Sequence, residues 1–292
     1  MDKGHRYTDK QIAGLERRLN GFYKDISADL IKALTEYLKE HEDQINALWE
    51  RLDAGENVDI DEFVYKELGE DIDDLSNQCV KADQSAMKIV GLATAAVFAF
   101  NYKSQSASLK KKTGLKLPKT KKRILPPSTD KKKDRLWHRV KIRYVVNNGI
   151  KHGRSIPEVA KSLETVTRMD RNAAYRAART ACTNAENQGK LEAMYTLRDE
   201  YGIDVKKMWY ATLDGRTRTS HRHVHGEVRE LDAEFSNGLQ FPGDTDGDPA
   251  EVWNCRCTLL DVINEFSIPE APGGMSREEW ENATPKYKNY PR

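Results

Sequence analysis

Cysteine is scarce. Only four occur in 292 residues: Cys79, Cys182, Cys255 and Cys257. The N-terminal stretch MDKGHRYTDKQIAGLERRL lacks the apolar core of a secretory signal. Together these argue against a disulfide-framed secreted domain and for a reducing compartment. Long apolar runs are also missing. The longest, IVGLATAAVFAF from Ile89 to Phe100, has twelve residues, whereas a bilayer span needs about 20. It reads as a buried helix in a soluble chain, and no membrane partner is expected. Net charge is nearly absent, at +2, yet charged residues make up 32% of the chain against 38% hydrophobic. That is polar for a compact globule and suggests exposed helices around a modest core.

The small net charge hides two opposed blocks. Residues 50–74 are acidic, and residues 103–135 carry thirteen Lys or Arg against Asp130 and Asp134. In the basic block Lys110, Lys111, Lys112, Lys121, Lys122, Arg123, Lys131, Lys132 and Lys133 are the candidate contacts for double-stranded DNA. They would act without sequence preference, by counterion release. The block has little aromatic interleaving, so base stacking is not indicated. A merely solvated linker remains the alternative reading.

The first hundred residues have helical periodicity. Ile12, Leu15, Leu19, Phe22, Ile26, Leu30, Leu34 and Leu38 recur at three and four, the stripe of one long helix or a hairpin of two. Thr8, with Gln11 three residues on, is a plausible helix cap. Such a stripe needs another helix or a partner protein to cover it. Residues 101–135, rich in Ser, Pro, Gly and Lys, read as a linker or arm. Helices resume near Leu136 and stop at Gly153. Ser155, Pro157 and Glu158 form a capping-box start. An Ala-rich helix follows and stops near Gly202; its small residues permit close helix packing. Cys79 and Cys182 fall in helices, as small buried groups. No repeat of fixed period is visible.

From Val205 the texture changes to turns, aromatics and short alternating segments. MWYATL reads as a strand, Asp214-Gly215 as a turn, and CRCTLLDVI as a returning strand. The expected fold class is mainly α with a small α+β C-terminal domain. The expected divisions are 1–100 helical and partner-docking, 101–135 basic linker, 136–265 compact domain and 266–292 tail, with a short helix near Arg277 to Glu281.

The chemistry-bearing residues lie in that compact domain. His221, His223 and His225 alternate, and Cys255 and Cys257 follow about thirty residues later. Thiolates and imidazoles in such a set suit tetrahedral zinc. The candidate ligands are Asp214, His221, His225, Cys255 and Cys257. A flat strand would hold the two sulfurs about 6–7 Å apart, too far for one ion, so the backbone would have to bend there. The competing reading is a buried core of thiols with Asp214, Arg218 and His221 tied by hydrogen bonds. A Cys255–Cys257 disulfide would be strained. No nucleophile signature surrounds either cysteine. PGDTDGDPAE places Asp244, Asp246, Asp248 and Glu251 close together, but its glycine is misplaced for a calcium loop, and a turn is the better reading. There is no phosphate-cradling glycine loop and no nucleophile elbow.

Four segments in order carry a resemblance. They are AARTACTNAENQG (Ala177 to Gly189), MWYATLDGRTRTSHRHVHGEV (Met208 to Val228), FPGD (Phe241 to Asp244) and NCRCTL (Asn254 to Leu259). Together they resemble the phage minor head protein family, also called Mu F-like or head morphogenesis proteins. The likeness covers roughly Leu136 to Val262; Ala181 departs from it, standing where the family often has Glu. The motif residues are Arg179, Thr180, Trp209, Asp214, Arg218, His221, Gly226, Asn254, Cys255, Arg256 and Cys257. The resemblance implies a virion component, inside the capsid near the portal, with the host cytoplasm as the place of assembly. It implies portal, capsid or scaffolding proteins as partners and a role in head morphogenesis and genome packaging or delivery. No catalytic residue and no required cofactor are implied. A metal-dependent nuclease or hydrolase using the His, Asp and Cys cluster is the rival reading, and plain DNA binding a third.

Overall fold

The computed structural model describes residues 3–124, 127 and 130–263. The expected tail helix near Arg277 lies outside them. Seven α-helices precede the first strand: α1 (Lys3–Glu40), α2 (Glu42–Asp53), α3 (Ile60–Glu67), α4 (Gly69–Thr113), α5 (Lys131–Lys151), α6 (Ile156–Lys161) and α7 (Glu164–Tyr201). Then come β1 (Lys206–Tyr210), α8 (Thr219–His223), β2 (Val228–Glu230), α9 (Pro249–Val252) and β3 (Thr258–Val262). The chain is thus mainly helical with a small antiparallel sheet near its end, in the class expected.

Two compact units are assembled from segments far apart in the chain. A helical unit comprises Glu16–Ile89 and Ser128–Tyr175; a sheet-bearing unit comprises Met1–Leu15, Val90–Pro127 and Arg176–Arg292. The docking region, arm and C-terminal domain anticipated from the sequence are therefore distributed over both.

In the helical unit the N-terminal stripe finds its partners within the chain. Leu30, Leu34 and Leu38 of α1 join Ile45 and Leu48 of α2, Val64 of α3, Ile72 and Leu75 of α4, and Ile142, Val146 and Ile150 of α5 in one buried cluster. Helix starts are secured locally. Asp59 accepts from the Glu62 N–H before α3, and Asp130 accepts from Lys132 and Lys133 N–H before α5. Ser155 and Glu158 form the expected capping box. Thr8 does not cap. It lies inside α1, buried, and its hydroxyl donates to the Gly4 carbonyl while accepting from Asn101. The helix starts earlier because its hydrogen-bonding runs back to Lys3.

In the sheet-bearing unit β1 is central, in the order β2-β1-β3, both pairings antiparallel. Met208 faces Val228 on one side and Leu260 on the other. The sheet packs with α7 and the end of α4 around Trp209, Met194, Leu197, Leu109 and Leu259. Residues 103–113, expected to be irregular, are the last turns of α4. Their Ser and Lys are tolerable helix formers, and Leu109 supplies a fully buried anchor. Beyond Gly114, in the left-handed region at φ 77°, the chain lies on its own unit. Leu117 is buried, Tyr102 donates to the Pro118 carbonyl at 2.7 Å, and Tyr201 donates to the Lys116 carbonyl at 2.7 Å. The apolar run from Ile89 is part of α4, the one described helix long and apolar enough to cross a membrane. Its Val90, Val97 and Phe98 are buried, as are its polar Thr94 and Asn101.

Candidate functional site

The site begins with a polar face on α7. Asn187 donates to the carbonyls of Pro242 at 2.9 Å and Cys257 at 3.3 Å and accepts from the Leu259 N–H at 2.7 Å. Asn184 donates to the Gly243 carbonyl at 2.9 Å, and Thr183 to the Cys255 carbonyl at 2.8 Å. Thr180 accepts from the Asn254 N–H at 3.2 Å. One helix face thereby ties down both the FPGD and NCRC segments. The polar groups are buried, so each bond left unmade would cost more than it contributes when made. Gly243 sits at φ 81°, and a Cβ there would lie 3.0 Å from the Asn184 nitrogen, so this close approach excludes any side chain.

Beneath these loops His221, Cys255 and Cys257 converge. Each is 2% exposed. Cys255 Sγ and Cys257 Sγ lie 3.7 and 3.4 Å from His221 Nδ1, and all three donor atoms fall within 4.8 Å of one another. The required bend is present. Asn254 takes a left-handed φ of 56°, and β3 begins only at Thr258, so Cys255 and Cys257 are not on a flat strand. His221 comes from α8, not a strand, with Trp209 edge-on to its ring at 5.1 Å. On its far side His221 Nε2 is 3.1 Å from Glu251, whose carboxylate also accepts from Ser220 at 2.7 Å. The distance is that of an ion pair, but Nε2 is off the hydrogen-bonding direction.

Burial opposes charge on His221, but its bond to Cys255 and the nearby Glu251 carboxylate prevail and push its pKa up to about 9. Cys255 is driven the other way. Burial opposes ionisation, yet bonds from Cys257 and His221 hold its thiol well below the usual range. Burial and the adjacent Cys255 charge push Cys257 up.

The donor set also fits zinc. Two sulfurs at about 2.3 Å and a nitrogen at about 2.0 Å from an ion stand roughly 3.5 Å apart, close to the His–Cys separations here. A carboxylate behind the second ring nitrogen is the usual outer partner of a zinc-bound histidine. Zinc there would be a Lewis acid, and these three residues would hold it.

The other expected ligands are engaged elsewhere. Asp214 is held by Arg256 through two bonds of 2.6 Å, and Arg256 keeps its carboxyl down at about 2. His225 is buried, but its Nδ1 accepts from the Ala211 N–H at 3.0 Å. Arg218 bonds the Trp253 carbonyl, and Arg222 the Asp214 carbonyl. Gly226, at φ 79°, donates to the Trp209 carbonyl at 2.8 Å and turns the chain into β2. His223 is exposed. Arg179 lies on α7.

Sequence reasoning did not single out Glu186, Lys190 and Thr258. Glu186 accepts from Lys190 at 2.9 Å and from Thr258 at 2.6 Å, with His5 of α1 at 3.2 Å. Burial works against the Glu186 carboxylate, but Lys190 and His5 hold its pKa far below the usual range. Their signal was a Glu and a Lys four apart inside an otherwise small-residue helix.

Residues 140–260 match the family model described as Phage Mu protein F like protein. Minor head protein GP7 of Bacillus phage SPP1 is 23% identical over 282 residues, covering 89% of this chain and 85% of that protein. NAD(+)--arginine ADP-ribosyltransferase EFV of Enterococcus faecalis is 32% identical over 139 residues, 46% of this chain. An uncharacterized Haemophilus influenzae protein is 32% identical over 109 residues, 34% of this chain. The chain spans only 28% and 23% of those last two proteins. No solved structure matches significantly. All the loop-tying residues of α7, β1 and the NCRC segment fall inside the span that matches the Mu F-like model, and the chain is similar to the phage minor head protein GP7 along most of its length.

Proposed function

We propose that the chain is a portal-associated minor capsid protein of a tailed phage or prophage, acting in head morphogenesis and in genome packaging or delivery without catalysis. The observation that carries this reading is how the motif residues are used. Asn184, Asn187, Thr183, Arg218 and Arg256 are all committed to the protein's own loops and carbonyls. Such a motif maintains one domain shape, as an assembly component requires. A three-ligand zinc set is also the stoichiometry of hydrolytic zinc sites. Here, however, the donors are about as buried as the core, which leaves a substrate no approach. The ADP-ribosyltransferase likeness covers less than a third of that protein and carries no activity to this chain. In this reading zinc at His221, Cys255 and Cys257 is a structural fastener.

The partner in this reading is the portal protein, with capsid or scaffolding proteins around it. The test is co-expression of the full chain with the portal protein of the same genome, followed by gradient sedimentation and analysis of proheads. Co-sedimentation with the portal and presence in proheads are expected. Absence from proheads would overturn the reading. Elemental analysis tests the fastener: one zinc per chain is expected to be lost in Cys257→Ser, and a zinc content unchanged by that substitution would remove zinc from the lock.

A further inference from the structure

The helical unit holds a second cluster of ligand-type side chains, unconnected with the sheet. Cys79 and Asp83 stand one turn apart on α4, His138 is on α5 and Asp170 on α7. Cys79 and His138 are 2% exposed and Asp170 is 7% exposed. The donor atoms of Cys79, His138 and Asp170 lie within 4.8 Å of one another. His138 Nε2 is 3.2 Å from Asp170 Oδ1 and 3.5 Å from Asp83 Oδ2.

Two features separate this cluster from an ordinary buried ion pair. The first is geometric. His138 Nδ1 is committed, donating to the Asp134 carbonyl at 2.7 Å, which leaves Nε2 pointing inward. That Nε2 is buried and makes no hydrogen bond, although two carboxylates are at ion-pair distance. A ring fixed through one nitrogen by a backbone carbonyl, its other nitrogen aimed at sulfur and oxygen donors, is how proteins present histidine to a metal. The second is charge. Tyr23 of α1 donates to Asp83 Oδ1 at 2.7 Å, so it satisfies one oxygen without adding positive charge. The groups bearing most on Asp83 are Asp170, Tyr23, His138 and Asp134, and only His138 can become a cation. Two carboxylates and a thiol thus share one imidazole in a buried space.

We propose that Cys79, His138, Asp170 and Asp83 form a binding site for a divalent transition metal of the zinc class, pinning α4, α5 and α7 together. One sulfur, one nitrogen and two oxygens suit zinc better than magnesium or calcium, which take oxygen alone. The ion supplies the missing positive charge, and Tyr23 orients Asp83 from outside.

The full chain, stripped with chelator, reloaded with zinc and dialysed, tests this by elemental analysis. His138→Gln loses one equivalent relative to wild type, whatever the sheet-bearing unit holds. Cys79→Ala loses it too, and with cobalt in place of zinc it lowers the thiolate-to-cobalt charge-transfer absorbance while leaving the part that depends on Cys257. Tyr23→Phe binds roughly 10–100-fold more weakly. If His138→Gln does not fold, judged by helical circular dichroism, Asp170→Asn takes its place. Equal zinc content in wild type and the folded variant would overturn the proposal, as would cobalt absorbance insensitive to Cys79→Ala.

Discussion

At the scale of single residues, the motif is explained by what each side chain would leave unpaired. Asn187 is fully buried and its amide serves four backbone groups, the carbonyls of Thr183, Pro242 and Cys257 and the N–H of Leu259. Asn187→Leu keeps the volume but strands those groups, each at about 1–3 kcal/mol. A loss of about 3 kcal/mol or more is expected in urea unfolding, against under 1 kcal/mol for exposed Asn172→Leu. Asp214 gives a pH signature. Its carboxyl is held at about 2 by Arg256, below the ordinary value of 3.8. The stability it contributes is therefore complete above about pH 4 and is lost as pH falls through about 2. Its side chain is 32% exposed, so solvent screening limits the effect to about 1–2 kcal/mol. Asp214→Asn should lower the denaturation midpoint at pH 6, and the gap from wild type should close toward pH 2. A constant gap would mean that charge is not what Arg256 recognises.

At the scale of elements, close packing decides what can vary. Gly189 of α7 faces α4, and a Cβ there would meet the Phe98 carbonyl oxygen at 2.6 Å and the Tyr102 nitrogen at 3.0 Å. Those are backbone atoms of a helix and cannot swing aside. Gly189→Ala should cost about 1–3 kcal/mol despite alanine's better helix propensity, whereas Gly14→Ala, with nothing within 4 Å, should be neutral or stabilising. A stabilised Gly189→Ala in thermal melts would contradict the contact. The same elements show how far the sequence could be read. The apolar stripe of α1, the capping box before α6 and the strands at Met208 and Thr258 are local signals, and local physics produces them. The Thr8 cap failed because a hydroxyl can also bond back four residues inside a helix. The irregular reading of 103–113 failed because its Lys, Gln, Ala and Leu are adequate helix formers and Leu109 supplies a buried anchor that no periodic stripe announces. In the site, spacing named His221, Cys255 and Cys257, but the bend at Asn254 that unites them is a single left-handed residue without periodic signature. Asp214 and His225 share the right chemistry and lie close in sequence, yet each is claimed by a partner, Arg256 or the Ala211 N–H, that only the fold supplies. Asn184 and Asn187 lie in the AARTACTNAENQG segment, but helical spacing does not show what they bond, because the loop carbonyls they donate to are more than fifty residues away.

At the scale of the molecule, charge segregation rather than net charge carries the expectation of DNA contact. The sheet-bearing unit displays Lys110, Lys111, Lys121 and Arg123 on a segment that its own contacts anchor, through buried Leu117 and the tyrosine bonds to residues 116 and 118. Cations on an anchored surface give up less chain entropy on binding than cations on a free arm. Not all of the block is equally available: Lys112 pairs with Asp261 at 2.7 Å and Lys122 with Glu192 at 3.6 Å. Deleting the block would remove the last turns of α4 along with the charges, so point substitutions are the sound test. Changing Lys110, Lys111, Lys121 and Arg123 together to Gln removes charge with little effect on packing. Binding of the full chain to random double-stranded DNA should weaken with salt, with a slope of about −0.9 per phosphate contacted. The four-fold variant should flatten that slope by as much as three to four contacts. Lys112→Gln should act differently: it releases the Asp261 carboxylate, so it should lower thermal stability more than it alters the salt slope. A slope unchanged by the four substitutions, with stability intact, would show that this basic surface is only solvated.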